Sequence, residues 1–325
     1  MSSSNKKTLA SVLAELPEDF SEFATIYEKD LKPSLADMEQ DRLKAMSRAK
    51  TYGVYALLAL LIVGGLAIFI FKSPLAGIVG IVAAVGTAAF GLTGVHEVTK
   101  KARTMMVSSV ASKFGLTYNE EPSAHANNHL QSCRNHKLVP SWDRVKLKDE
   151  MVGERNGRPF EFFQAHLEDK RTTTDSDGKT QTSWVTVFRG QCWVIDAAKT
   201  FHGTTRIARD AGIFNAFGAI GDKYSRAKLE DPEFEKKFEV YTTDQVEARF
   251  LLTPDVMQAF LDLETAFNGS KFRATFDGNK IYAALEGGEL FEGGGLFSRI
   301  DDPEKVGELL VDIASVFHLV DVLGK

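Results

Sequence analysis

The chain has 325 residues, 44% of them hydrophobic and 26% charged, with a formal net charge of −5. That length accommodates one large domain or two moderate ones, and the mildly acidic balance argues against a dedicated nucleic-acid binder. Only two cysteines occur, Cys133 and Cys192, far apart in sequence. This excludes the disulfide framework of a small secreted domain and favours a reducing compartment.

Residues 1–51 read as a cytoplasmic N-terminal helical segment. In its opening stretch, MSSSNKKTLASVLAELPEDF, Glu15, Glu18 and Asp19 interrupt before an apolar core forms, so no cleavable signal peptide is expected. From residue 18 to 51 the pattern is helical, with Phe20, Phe23, Ile26 and Tyr27 on a sparse apolar face. Pro33 is expected to break or bend it.

Residues 52–95 contain two apolar runs, 52–71 and 74–95, separated only by Lys72 and Ser73. About 20 helical residues span a hydrocarbon core of roughly 30 Å, and neither run holds an acidic or basic side chain. They read as a two-helix transmembrane hairpin, with Lys72 and Ser73 as its tip and Pro74 in the first turn of the second helix. Arg42, Lys44, Arg48 and Lys50 precede the first span, and Lys100, Lys101 and Arg103 follow the second. The positive-inside rule therefore places both termini in the cytoplasm. Without ionisable groups at depth, the hairpin reads as an anchor rather than a conduit.

Gly77, Gly80, Ala84, Thr87, Gly91 and Gly94 recur three or four residues apart and give the second span one face of small residues. Such a face admits another helix backbone. The expected partner is the first span, through Gly53, Ala56, Gly64 and Ala67; the alternative is a homo-oligomer through the same face.

Residues 96–137 read as a helical linker continuing from the second span. Its apolar positions are Val98, Ala102, Met105 or Met106 and Phe114, with Gly115 as C-cap. Within it, HANNHLQSCRNH brings His125, His129, Cys133 and His136 to one side of a helix. Imidazole and thiolate suit zinc, but helix rise puts His125 and Cys133 about 12 Å apart. Only a neighbouring pair such as His129 and Cys133 could chelate together. The expectation is a polar linker helix with no metal and no cofactor.

Residues 138–325 read as a cytoplasmic α+β domain. RPFEFFQAHLEDKR and SWVTVFRGQCWVIDA have strand composition, and RTTTDSDGKTQT between them reads as a polar loop. Asn156-Gly157 marks a hairpin turn. FRATFDGNKIYAAL alternates, with Phe272, Ala274 and Phe276 on one face and a turn at 277–279. A helix starts at Thr253-Pro254 and stops at Asn268-Gly269, with Val256, Phe260, Leu263 and Phe267 as its stripe. A last helix is capped by Asp302, begins at Pro303, and turns Val306, Leu309, Leu310, Ile313, Phe317 and Val320 inward.

The segments LVPSWDRVKLKDEMVGERNGRPFEFFQAHLE, VFRGQCWVID, KTFHGTTRIARDAG and EDPEFEKKFEVYTTDQVEARFLLTP resemble the bacterial membrane-protein family catalogued as domain of unknown function 3137. The block DQVEARFLLTP is the most specific, and the resemblance runs to the C-terminus. It implies a protein of the bacterial inner (plasma) membrane with a cytoplasmic domain, and no reaction or catalytic residue.

No nucleophile elbow or catalytic histidine signature is present, and GGELFEGGGLFSR lacks the lysine of a phosphate loop. Arg189, Arg206 and Arg209 are candidate anion contacts; His318 reads as a boundary residue. The expected function is a membrane-anchored interaction module that binds membrane lipid, in particular anionic lipid, or a protein partner, and no nucleic acid. The alternative is an enzyme acting on a membrane-associated substrate.

Overall fold

The computed structural model describes residues 9–72, 74–174, 178–209, 223–266, 271–291 and 298–323. It has long apolar helices followed by a mixed α/β region with an antiparallel sheet, and divides into two units. One is Met1–Ser109 with Phe291–Val311; the other is Val110–Leu290 with Asp312–Lys325.

The first unit is helical. Its elements are α1 (Leu9–Glu15), α2 (Phe23–Ile26), α3 (Lys32–Ala59), α4 (Gly65–Phe71) and all but the last turn of α5 (Ile78–Lys113). A π turn at Tyr27–Leu31 joins α2 to α3, and a second at Leu60–Gly64 joins α3 to α4. Pro33 does not break the rod. The Lys32 N–H donates five residues back to the Tyr27 carbonyl, and the wider turn makes room for the ring that would clash in a regular α-helix.

Phe20, Phe23, Tyr27, Leu31 and Leu35 are buried, whereas Ile26 is half-buried. The same face continues into a buried ion pair. Arg42 Nε and Nη2 donate to Glu39 Oε2 and Oε1 at 2.8 and 2.6 Å, and the Ile300 N–H donates to Glu39 Oε2 at 3.0 Å. The Arg42 guanidinium holds the Glu39 carboxyl below its usual range, against the opposing effect of burial.

Two helical stretches here, Glu18–Phe71 and Ile78–Lys113, are long and apolar enough to cross a membrane. Only 17% of each apolar window is buried, whereas the core helix of a soluble protein would be mostly enclosed. Lys72 ends α4 in the left-handed conformation, φ 52°, with its N–H on the Ile68 carbonyl. Pro74 opens a 3-10 turn, Pro74–Gly77, that leads into α5 instead of lying within that helix. Ser73 lies outside the described residues.

The second unit contains β1 (Thr117–Asn119), α6 (Ala124–Asn135), β2 (Arg144–Arg155), β3 (Arg158–Thr174), β4 (Thr180–Asp196), β5 (Thr205–Arg209) and β6 (Ser225–Ala227). There follow α7 (Pro232–Lys237), β7 (Phe238–Thr242), α8 (Gln245–Leu251), α9 (Pro254–Ala266), β8 (Lys271–Asp277), β9 (Lys280–Glu286) and the C-terminal end of α10 (Pro303–Leu323). Among the described residues the strands form one nine-stranded sheet in the order β1-β2-β3-β4-β9-β8-β5-β7-β6. Every pairing is antiparallel.

Residues 96–137 are therefore not one helical linker. The helix stops at Lys113 because Gly115 is left-handed, φ 72°, and the Leu116 N–H reaches back to the Ala111 carbonyl. Thr117–Asn119 then joins the sheet edge, and α6 packs on one sheet face through Ala126, Leu130 and Cys133. The domain boundary at 138 moves for the same reason, and Phe291–Val311 leaves the sheet unit for the helical one. Much of RTTTDSDGKTQT is also strand: Arg171–Thr174 pairs with Thr180–Ser183, as β-branched threonines favour. Residues 175–177 lie outside the described residues.

Asn156 and Gly157 close the β2–β3 hairpin with φ 53° and 75°, the conformation a two-residue turn demands. Between Lys148 and Met151 the register slips around Asp149 and Glu150. This bulge buries both carboxylates. Tyr118 Oη and Gln164 Nε2 donate to Asp149 at 2.5 and 2.8 Å. Ser123 Oγ and Asn119 Nδ2 donate to Glu150 at 2.6 and 2.7 Å.

The sheet face opposite α6 buries Phe162 against Trp193, centroids 5.3 Å apart. There Phe317 of α10 meets Phe160 and Phe114 edge-on. A second aromatic cluster joins Phe234, Phe238, Phe260 and Phe272 under α7 and α9. All six inward positions expected on α10 are buried. On α9, Phe260 is buried and Val256 half-buried. Phe267 and the side chain of Leu263 lie outside what is described, as does the Asn268-Gly269 stop.

Candidate functional site

A cavity of about 330 Å³ opens in the sheet unit at the end where β4, β8 and β9 meet α8, α9 and the last turn of α10. That is within the usual size of small-molecule sites, about 300–1,000 Å³. Its floor is Phe201, Phe276, Ile281 and Leu323, all buried. The segment after β4 is held over the β8–β9 turn by backbone bonds from the Ala197 and Phe201 N–H groups to Asn279 and Gly278 at 2.9 and 2.6 Å.

The opposite wall is α8. Asp244 caps it, accepting from the Val246 and Glu247 N–H groups at 2.9 and 3.0 Å. Glu247 in turn binds the His202 and Gly203 N–H groups at 3.0 and 2.8 Å, tying α8 to the loop that carries Phe201. With α8 so fixed, Phe250 lines the cavity yet is 73% exposed, and Val246, one turn back, is also exposed. Arg158, Lys199 and Asp255 are the charged residues of the lining. Arg158 and Lys199 make no ion pair among the described residues. An apolar pocket with two free cations at its rim suits an apolar chain that ends in an anionic group.

The expected site residues fall elsewhere. His129 Nδ1 stands 2.9 Å from Glu161 Oε2, while Cys133 is wholly buried beneath α6 in one cluster with Cys192. Burial, reinforced by neighbouring Cys133, pushes the Cys192 thiol well above its usual value, which disfavours a thiolate ligand. His125 is exposed, and His136 stacks on Tyr282 at 4.6 Å. Among the described residues no three histidine, cysteine or acidic side chains converge as a metal site. His318 is exposed.

The three arginines do not converge. Arg189 lies on β4 and Arg206 on β5, with β9 and β8 between them. Arg206 aligns through Thr275 and Tyr282 with Val194, five residues along β4 from Arg189. Strand spacing and rise put the two roughly 20 Å apart. Arg206 stacks on Tyr224 at 4.4 Å, and Arg189 Nη2 binds Glu289 at 2.5 Å. For Arg209 only the backbone position on β5 is described.

The small face of the second span lies against the first span of the same chain. A Cβ on Gly80 would collide with Gly64 Cα, one on Gly91 would stand 2.5 Å from Tyr52 Cβ, and one on Gly77 3.1 Å from Ile68 Cδ1. Ala56, Gly64 and Ala67 are buried, whereas Gly53 is exposed and has nothing within 4 Å of a Cβ. Ala84, Thr87 and Gly94 are half-buried; Thr87 Oγ1 bonds its own helix at Ala83 O, 2.8 Å away.

Residues 186–325 match the model of the family described as Protein of unknown function (DUF3137), the family that the sequence blocks resemble. The matched segment contributes every cavity residue except Arg158. No curated protein matches the chain. Among solved structures it is similar to the mycobacterial trehalose monomycolate transport factor A, TtfA, at 12% identity and a TM-score of 0.36. That similarity covers 68% of this chain and 94% of the other.

The cavity was not apparent from single positions, since Phe201, Phe250 and Leu323 are distant in sequence. Its usable signal was the pair of family-like blocks KTFHGTTRIARDAG and DQVEARFLLTP, which Glu247 binds together.

Proposed function

We propose that this chain is a membrane-anchored binding module at the cytoplasmic face of a bacterial inner membrane. The hairpin of residues 52–95 holds it there with both termini inside, and the sheet unit takes up an anionic lipid. The observation that carries the reading is the cavity beside Phe250. Its apolar floor receives part of an acyl chain, and Arg158 and Lys199 receive the negative headgroup. Exposed Phe250 closes over the chain once it is in place. The exposed apolar flanks of both long helices, among them Leu61, Phe69 and Val82, support the anchoring: lipid tails solvate such side chains and water does not. The basic residues on either side of the hairpin support the orientation.

Native mass spectrometry of the full chain purified from membranes tests the reading. Wild type is expected to retain an anionic phospholipid, and Ala198→Trp, which fills the cavity, is expected to lose it. Equal retention by both proteins would place the lipid elsewhere and refute the cavity as the binding site.

A further inference from the structure

The sheet face that buries Phe162 and Trp193 changes character along β3 and β4. Cross-strand register sets Lys146 opposite His166, and His166 opposite Arg189. Paired residues project from the same face, so these three side chains form one row. Lys148, Gln164 and Gln191 form the next row. Together with Glu289, the two rows enclose a cleft of about 70 Å³ lined by Lys146, Lys148, His166 and Arg189. His166 lies eight residues from Arg158 of the apolar cavity on β3, roughly 26 Å along the strand, so the cleft is separate from that cavity.

One carboxylate faces the three cations Lys146, Lys148 and Arg189 and pairs with two of them. Glu289 divides its oxygens between Lys148 and Arg189. Lys146 makes no ion pair among the described residues, and His166 Nε2 reaches only Thr186 Oγ1, 2.9 Å away. Glu289 is also placed with care. Gln164 both accepts from the Leu290 N–H and donates to the Leu290 carbonyl, at 2.9 and 3.0 Å. Gln191 donates to Gly288 O, and the Gly287 N–H reaches Arg189 O at 3.1 Å. Gln164 and Gln191 thus clamp the strap to the sheet, and it presents one carboxylate to the row.

We propose that this row is an oxyanion site for a phosphate monoester group and that Glu289 is its built-in competitor. A phosphate dianion brings a second negative charge and a third oxygen. It can engage Lys146 and His166 as well as Lys148 and Arg189, where the carboxylate satisfies only the latter two. Binding displaces the Glu289 side chain toward solvent while the two glutamines keep its backbone in place. The phosphate comes either from a soluble compound or from a lipid whose headgroup is a phosphate monoester.

The test is calorimetric titration of inorganic phosphate into the full chain in nanodiscs of zwitterionic lipid. Glu289→Gln is expected to tighten binding about tenfold over wild type. Adding Lys146→Ala or Arg189→Ala to that variant is expected to weaken it again by a similar factor. Lys146 is exposed, so its replacement leaves the fold intact, and Arg189→Lys, which keeps the charge, should restore part of the loss. Repeating the titration in nanodiscs that contain phosphatidic acid names the source. Competition assigns a lipid headgroup and its absence a soluble phosphate, and either result supports the site. Phosphate affinity that ignores Glu289→Gln, or that ignores Lys146→Ala, would overturn the proposal, as would no binding by any variant. Ala198→Trp should leave these titrations unchanged, so this site and the lipid cavity stand or fall separately.

Discussion

In the helical unit the closest packing is backbone against backbone, at Gly64 and Gly80, while Phe69, Leu75 and Val82 point outward. In the sheet unit the arrangement is reversed: Trp193, Phe162 and Phe272 are fully enclosed, and Lys146, Arg144 and Lys170 face out. Under the proposed anchoring the helical surface lies in lipid and gains nothing by hiding apolar side chains, which fits helices that associate through small residues and close approach. A surface in water must hide them, so its strands and helices associate through large ones. Both units nonetheless bury charge, the Glu39–Arg42 pair in one and the Asp149–Glu150 bulge in the other, and each carboxylate there is answered by two or more donors.

Substitutions can break this contrast, beginning with the largest effect. Trp193→Ala empties the centre of the sheet unit and should cost about 3–5 kcal/mol, read from denaturant unfolding of the near-UV signal. A loss near zero would mean that the enclosed aromatics do not hold that unit. Glu39→Ala leaves Arg42 buried without its carboxylate and should cost roughly 3 kcal/mol in the helical unit, measured as a lowered Tm in detergent. Restoring the loss with a second change, Arg42→Met, would show that the uncompensated charge is responsible.

Gly80→Leu should cost about 1–3 kcal/mol by forcing the two spans apart, seen as lower resistance to sodium dodecyl sulfate. Gly53→Leu, on the open side of the first span, should be silent. Equal effects from the two would remove the small-residue seam from consideration.

The smallest effect concerns pH. Burial holds the His136 imidazole below its ordinary value, against the opposing pull of Asp277. The unfolded chain therefore takes up this proton at higher pH than the folded one, and stability falls as pH drops below about 6.5. The loss levels off once the folded-state value is passed. His136→Gln should flatten that part of the stability curve; an unchanged slope would assign it to other groups.

The features legible in the sequence were those set by neighbours along the chain. The two apolar runs, the Asn156-Gly157 turn, the Gly115 stop and the Asp302-Pro303 cap each follow from a few adjacent residues. What escaped depends on register across strands. Lys146, His166 and Arg189 are spread over more than 40 positions yet stand side by side, whereas Arg189 and Arg206 are near in sequence and lie apart. The helix of residues 124–135 read as a polar linker because its polar side chains outnumber the three, Ala126, Leu130 and Cys133, that bury it. Pro33 misled because a π turn, which no local pattern announces, removed the clash it would otherwise cause.

Lipid binding by the full chain after charge reversal at the cavity rim tests the central claim most directly. In nanodiscs, with a labelled anionic phospholipid and its zwitterionic counterpart as ligands, Arg158→Glu with Lys199→Glu should weaken the anionic lipid at least about tenfold. The zwitterionic lipid should be unaffected. If both lipids bind the double variant as they bind wild type, the sheet unit does not take up anionic lipid through this cavity.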